Sequence, residues 1–301
     1  LTPEQAEALR GILAKRDFES AEVPHAVFSY KRPKLAITWY KSGKLLIQGK
    51  GTQEFVEFTL EPEVLGQAAF ADALDAQPEQ LEPRLGVDES GKGDFFGPLV
   101  VAGVYVNEPV ARALDGLGVK DSKAIASDKK IAALAKGIRD TPGCVYSVVP
   151  IGNASYNRLH QKMRNVNKIL AWGHARVIEN LLGQRDRMNP EPLRAISDQF
   201  ARSKATIQSA LMEEGRQLKL VQMHKAESDI AVAAASILAR DLFVQRLSAL
   251  GREFDLELPK GASSKVDAAG AAFLKKHGMD KLGQAAKLHF RTTQKIQAGL
   301  L

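Results

Sequence analysis

Residues 86–106 read GVDESGKGDFFGPLVVAGVYV, two apolar runs around a polar, glycine-spaced loop. The pattern predicts a strand, a tight turn and a returning strand. Neighbouring side chains of a strand point to opposite faces, so Asp88 and Glu89 share a pocket only where the backbone bends between them. Gly91, Gly93 and Gly97 permit such a bend, because glycine reaches positive φ without a Cβ clash. The same glycines let backbone N–H groups approach a sugar or phosphate, and Lys92 adds positive charge beside them. The plainer alternative is a solvated hairpin loop, which DES or GKG alone would favour; the two long apolar flanks weigh against it.

Outward from this hairpin, Glu108 to Leu117 reads as helix, and Lys120-Asp121-Ser122-Lys123 as a polar loop. A helix from about Ser127 to Ile138 follows, with Ser127 as its N-cap. Then come a strand from Cys144 to Val149, a loop from Ile151 to Asn157 and a helical segment clearest from Val166 to Leu182. The strand Leu193–Ile196 runs into Ser197-Asp198, an acid at a strand's carboxyl end, where open α/β sheets place ligands. Gln217–Met223 is a further strand that delivers His224 to Asp229 to a long helix, Ile230–Leu250. The first half of that helix, IAVAAASILA, is apolar nearly all round, so it belongs in the core. Glu227 at its start sits in the positive end of the helix dipole and should stay ionised. The C-terminal segment carries a helix from Asp267 to Lys276. Lys275, Lys276, Lys281, Lys287, Arg291 and Lys295 then stand against only Asp280, a candidate basic surface.

On the N-terminal side, Thr2 caps a helix that runs to about Lys15, strands follow at 26–31, 34–40 and 44–48, and a helix spans about 52–68. From Lys31 to Lys50 there are six Lys or Arg and no acid, interleaved with Trp39 and Tyr40. A sheet presenting Lys41, Lys44, Lys50 and these rings could track a phosphate backbone. The alternative is that the lysines solubilise an exposed sheet while Trp39 fills the core. Residues 69–84, acidic and with two prolines, read as a linker. The expected division is therefore a domain at 1–68, the linker, and a larger domain at 85–301.

The composition agrees with an α/β protein of two domains: 301 residues, 45% hydrophobic, net charge +7. No apolar run reaches about 18 residues, so no membrane span is expected. The opening LTPEQAEALR does not read as a secretory signal, and a start at Leu1 suggests that residues precede it. The single Cys144 excludes an internal disulfide and suits a reducing cytoplasm. The basic balance favours a polyanionic partner.

Four acids fall at the ends of predicted core elements: Asp88, Glu89, Asp198 and Glu227. Taken singly, Asp198 or Glu227 is better read as a cap or a surface salt bridge. If the fold gathers all four, they repel one another unless divalent cations neutralise them, and oxygen donors select Mg²⁺ or Mn²⁺. Such ions activate water for phosphodiester hydrolysis.

The hairpin, together with VKDSK, ISDQF, HKAESDIAVAAASILAR and HFRTTQKI, closely resembles ribonuclease HIII, a bacterial family related to ribonuclease HII. The resemblance runs from about Gly86 to the C-terminus. The serine and lysine of DESGKGD, and Glu227 where HII relatives carry aspartate, look like HIII. The resemblance implies a ribonuclease H-like mixed sheet with flanking helices, and a small N-terminal α+β domain similar to half of a TATA-binding protein. It makes Asp88, Glu89, Asp198 and Glu227 the metal-binding catalytic set. Gly91, Lys92 and Gly93 match the motif that reads ribose 2′-hydroxyls through the backbone, and Ser122 and Lys123 match a substrate-contacting loop. The implied activity is cleavage of the RNA strand of an RNA/DNA hybrid, leaving 5′-phosphate and 3′-hydroxyl ends.

Two other readings stand beside it: HII-like excision of single ribonucleotides from DNA, and a non-catalytic nucleic-acid-binding protein. With no exposed apolar stripe, a monomer is expected.

Overall fold

The computed structural model describes residues 1–49, 51–66, 81–120, 122–198, 210, 213–223 and 226–299. Its contacts divide the chain into two compact units, Leu1–Pro78 and Glu79–Leu301.

In the first unit, α1 (Pro3–Lys15) begins with a capping box in which Thr2 Oγ1 accepts from Gln5 N–H while Gln5 Oε1 accepts from Thr2 N–H. Strands β1 (Glu19–Ser20), β2 (Ala26–Arg32), β3 (Leu35–Tyr40) and β4 (Leu45–Gln48) form an antiparallel sheet in chain order. The period of two sends Leu35, Ile37 and Trp39 to one face, where they pack with Leu9, Leu13, Phe28 and Phe55. A short helix α2 (Thr52–Phe55) then widens into a π-helix, Val56–Leu65, that contains Pro62 and ends at Gly66 with φ of 66°. An ordinary helix was expected here. Proline has no N–H to donate, so the regular hydrogen-bond ladder cannot pass through it.

The second unit is built on five strands: β5 (Arg84–Ser90), β6 (Leu99–Val106), β7 (Val145–Ile151), β8 (Arg194–Asp198) and β9 (Lys219–Met223), in the order β7-β6-β5-β8-β9. β5, β6 and β7 pair antiparallel, while β8 runs parallel to both β5 and β9. This is the mixed sheet the resemblance implied. Between the strands lie α3 (Glu108–Gly116), α4 (Asp128–Asp140), α5 (Asn153–Met163), α6 (Val166–Leu182) and α7 (Glu213–Gln217). After β9 come α8 (Ile230–Glu253), α9 (Ser264–Ala285) and α10 (Arg291–Ala298). Ser127 caps α4 as expected, its Oγ accepting from Lys130 N–H. The segment expected to be a loop up to Asn157 is helical from Asn153. The helix expected from Asp267 to Lys276 is the first part of α9; Gly278, with φ of 79° and ψ of 174°, leaves the helical region and separates it from a second helical stretch that ends at Ala285.

Two glycines let helices lie directly on the sheet. A Cβ on Gly86 would stand 2.2 Å from Ala231 C and 2.3 Å from Val232 N, so the backbone of α8 rests on β5. On the opposite face, a Cβ on Gly103 would meet Val177 at 2.4 Å and Leu181 at 2.8 Å, both on α6. The small residues of IAVAAASILA are therefore a packing requirement: Ala231 to Ile237 are all within a few per cent of fully buried.

Candidate active site

β5 does not bend at the paired acids. Its register with β6 runs unbroken to Ser90↔Val100, and the turn begins only at Gly91, with φ of 91°. Asp88 follows the parity of Gly86 and faces the α8 side, whereas Glu89 follows Val87 and faces the α6 side. They reach the same cleft because the sheet ends there, so side chains from both faces meet around its edge. Asp198, two residues beyond Ile196, shares the α8 side with Asp88, and pairing of Val87 with Ser197 sets the two acids level on neighbouring strands. The cleft, about 390 Å³, is lined by these three acids, Ser90 to Gly93, Ser122, Lys123, Ser236 and Arg240.

The two neighbouring acids have opposite electrostatics. Asp88 keeps some surface open to the cleft, yet desolvation, then the charge of Glu89 and that of Asp198, push its carboxyl up to about 8 against the opposing pull of Lys123. Burial also works against ionisation of Glu89. There it is outweighed by the hydrogen bond and charge of His174 and by Lys92, which hold the carboxyl below its ordinary range. His174 Nε2 lies 3.0 Å from Glu89 Oε2, and Lys92 Nζ 3.6 Å from Glu89 Oε1. Glu89 is thus an anion held from two sides, while Asp88 is a buried acid short of positive charge. That deficit, on an oxygen-only donor set, fits a hard divalent cation. Among the described residues no three His, Cys, Asp or Glu form a ready-made cage. Both oxygens of Glu89 are already turned to His174 and Lys92.

Glu227 sits half-buried on a single 3₁₀ turn, Ala226–Ser228, before α8, and is not among the residues lining the cleft. Asp229 fixes that turn: it caps α8 through Ala231 N–H at 2.8 Å and accepts from fully buried Arg84 Nε at 2.7 Å. His224 lies outside the described residues.

The substrate-loop candidates separate. Ser122 is buried, with its Oγ bonded to Ser236 Oγ, while Lys123 is exposed. Arg240 binds the loop from below through the carbonyls of Ser122 and Ile125 (2.9 Å to the latter) and through Asp128 at 3.2 Å. Gly91 is needed as glycine, since a Cβ would stand 2.2 Å from Pro98 O. Gly93 is exposed, lacks positive φ and has open space where a Cβ would stand, so the bend expected there falls to Gly91 and Gly97.

In the N-terminal unit, Trp39 is 8% exposed and belongs to the core, which removes it as a stacking ring. It has the parity of Leu35 and Ile37. Tyr40 is half-buried, Lys41 and Lys44 are exposed on the β3–β4 turn, and Lys50 lies outside the described residues. The basic C-terminal run is less free than its sequence implied. Lys276 pairs with Asp255 and Lys295 with Asp267, each at 2.7 Å, and Lys287 is fully buried. His174 and Arg240 escaped the sequence reading, and Lys287 was read there as part of a basic surface; the one signal for His174 was a histidine set in an otherwise apolar helical stripe.

Comparison with known proteins places these features in a family. The family model for ribonuclease HII matches residues 85–293, and a domain of unknown function (DUF3378) matches residues 1–66. Ribonuclease HIII of Chlamydia pneumoniae is 44% identical over 303 residues, covering 99% of this chain and 97% of that protein. Among solved structures, Bst-RNase HIII in complex with Mn²⁺ aligns with a TM-score of 0.69 and 35% identity, covering 97% of this chain and 96% of its own. RNase H3 of Aquifex aeolicus aligns with a TM-score of 0.56 and 26% identity over 96% of this chain and 98% of its own. With identity above 40% along nearly its whole length, and paired acids at a sheet edge beside a glycine-rich turn, this chain belongs to the ribonuclease HIII family.

Proposed function

We propose that this chain is an endoribonuclease that hydrolyses the RNA strand of RNA/DNA hybrids, leaving 5′-phosphate and 3′-hydroxyl ends. The observation that carries this reading is the single cleft lined by Asp88, Glu89, Asp198 and the turn Gly91–Gly93. Asp88, Glu89, Asp198 and Glu227 are the residues to hold Mg²⁺ or Mn²⁺, and the related Bst-RNase HIII is known as a Mn²⁺ complex. Bound there, a divalent ion supplies an activated water and neutralises charge on the phosphate.

The chain's own groups do the rest. Backbone N–H groups of the Gly91–Gly93 turn, exposed at Lys92 and Gly93, meet the ribose 2′-hydroxyl that distinguishes RNA from DNA. Lys92 and Lys123 grip flanking phosphates, and Ser122, held by Ser236 and Arg240, shapes the loop that carries Lys123. His174 keeps Glu89 ionised and aimed at the cleft. The N-terminal domain, residues 1–68, holds the hybrid backbone through Lys41 and Lys44; the linker expected at 69–84 stops short of Arg84, which is the first residue of β5 in the catalytic domain. Among the described residues no helix is long and apolar enough to cross a membrane. Among the described residues the exposed large apolar side chains, Val27, Phe58, Leu117, Tyr146, Leu193 and Met223, lie on separate segments, which supports a monomer. The lone buried Cys144 supports a cytoplasmic setting.

The test is cleavage, with and without Mg²⁺ or Mn²⁺, of a continuous hybrid, a DNA duplex with one embedded ribonucleotide, and an all-DNA duplex. Metal-dependent cuts at several RNA positions of the hybrid are expected. Preferred cleavage beside the single ribonucleotide would move the reading to HII-like chemistry, and tight binding with no cleavage would reduce the chain to a binding protein.

A further inference from the structure

Lys287 follows α9 by two residues and is fully buried, a costly position for an ammonium group. Among the described residues it has no carboxylate within salt-bridge distance. Its Nζ donates instead to two backbone carbonyls, Asp94 O at 2.8 Å and Gly97 O at 2.6 Å, and its own N–H donates to Phe95 O at 2.8 Å. The ring of Tyr156 lies 5.7 Å from Nζ. All three acceptors belong to Asp94–Gly97, the segment that closes the glycine-rich turn and returns it to β6.

Other donors fasten the same segment. Asn153, buried at the start of α5, donates from Nδ2 to Gly97 O at 2.7 Å, and Gly97 N–H donates to Ala285 O at 2.9 Å. Asp94 Oδ1 accepts from Gly261 N–H at 2.6 Å, and Phe95 N–H donates to Gly261 O at 2.9 Å. The turn is thus held at its return by groups from α5, α9 and the 261 loop, while its leading half, Lys92 and Gly93, is exposed at the cleft. An apolar side chain would fill the site of Lys287 at lower cost. What a lysine adds is a pair of donors for two particular carbonyls. Burial lowers its pKa to about 7, against the charge of Asp94, and a neutral amine carries two N–H groups for those two acceptors.

We infer that Lys287 is a positioning residue for the glycine-rich turn, setting how strictly the backbone of Gly91–Gly93 requires a ribose at the cleaved position. The inference rests on the proposed hybrid-cleaving activity and on that turn meeting the 2′-hydroxyl.

The experiment uses the full chain under single-turnover conditions with two substrates: an RNA/DNA hybrid, and the same duplex with one 2′-deoxy nucleotide at a mapped cleavage position. The rate ratio at that position measures selectivity for the 2′-hydroxyl. Lys287→Met should lower the ratio about tenfold, the selectivity carried by roughly one well-placed hydrogen bond. A merely structural lysine would alter the melting temperature and the active fraction, which cancel in the ratio, so an unchanged ratio in a folded Lys287→Met overturns the inference. Asn153→Ala, which removes the other side-chain donor to Gly97 O, carries the same test if Lys287→Met does not fold. It should lower the ratio in the same direction, and a folded Asn153→Ala with the wild-type ratio overturns the inference equally. Absence of hybrid cleavage by the wild-type chain would instead remove the activity on which both rest.

Discussion

His174 Nε2 stands 3.0 Å from Glu89 Oε2, joining a fully buried histidine on α6 to the second of the paired acids on β5. A lowered carboxyl pKa makes Glu89 the acceptor and the imidazole N–H the donor. The contact explains how an acid at a sheet edge keeps one orientation without a bend in its strand.

We expect His174→Leu to lower kcat on the hybrid about 10- to 100-fold with KM little changed, the usual cost of losing a partner that orients a metal-binding side chain. His174→Gln, whose amide can donate from near the Nε2 position, should recover part of that loss. In a Glu89→Gln background the leucine variant should cost nothing further, because the two act as a unit. Additive losses in this double-mutant cycle would show that His174 acts elsewhere.

The raised pKa of Asp88 makes a claim about stability. Desolvation, then the charge of Glu89, put its folded-state value above the ordinary 3.8, at about 8. Whatever stability the protonated acid contributes is therefore complete below about pH 4 and is lost as the pH rises through about 8. Asp88→Asn should melt progressively higher than wild type between pH 5.5 and 8.5 in EDTA, by about 2–4 °C for each kcal/mol of desolvation and repulsion relieved. Added Mn²⁺ should close the gap by stabilising wild type more than the variant. The same substitution should remove most of the cleavage rate while hybrid affinity holds, because a lost negative charge beside phosphate cannot weaken the electrostatic grip.

Lys41 and Lys44 are exposed on the turn between β3 and β4. Replacing both with alanine should raise KM for the hybrid and reduce the slope of log affinity against log salt by about 2, one for each lysine that no longer meets a phosphate. An unchanged slope would mean that this turn touches no phosphate.

Gly86→Ala tests the packing rather than the chemistry. The added Cβ would lie 2.2 Å from the backbone of α8, where no side chain can swing away. A loss of at least ~1–3 kcal/mol is expected in denaturant unfolding, the range for overpacked cores. A near-neutral result would show that α8 can lift off β5.

Much of this protein was legible in its sequence because the signals are local. Apolar runs bounded by turn residues marked β3, β5 and β6, and Thr2 and Ser127 marked helix starts. The alanine-rich stretch from Ile230 announced a buried helix, since only small residues allow a backbone to lie on a sheet. The acids, the glycine-rich turn and the family resemblance were also linear features, and together they named the chemistry.

Tertiary structure decided what depends on groups distant in the chain. Glu89 meets His174 from 85 residues away, Lys287 reaches Gly97 across 190, and Arg84 reaches Asp229 across 145. No composition rule assigns partners over such separations. For the same reason a lysine in a basic tail proved to be an internal brace, and a tryptophan in a basic sheet proved to be core. The sequence determined which chemical groups the chain possesses and which local elements carry them. Only the folded sheet, by ending where it does, decided which of those groups share a cleft, because burial and charge act through space and not along the chain.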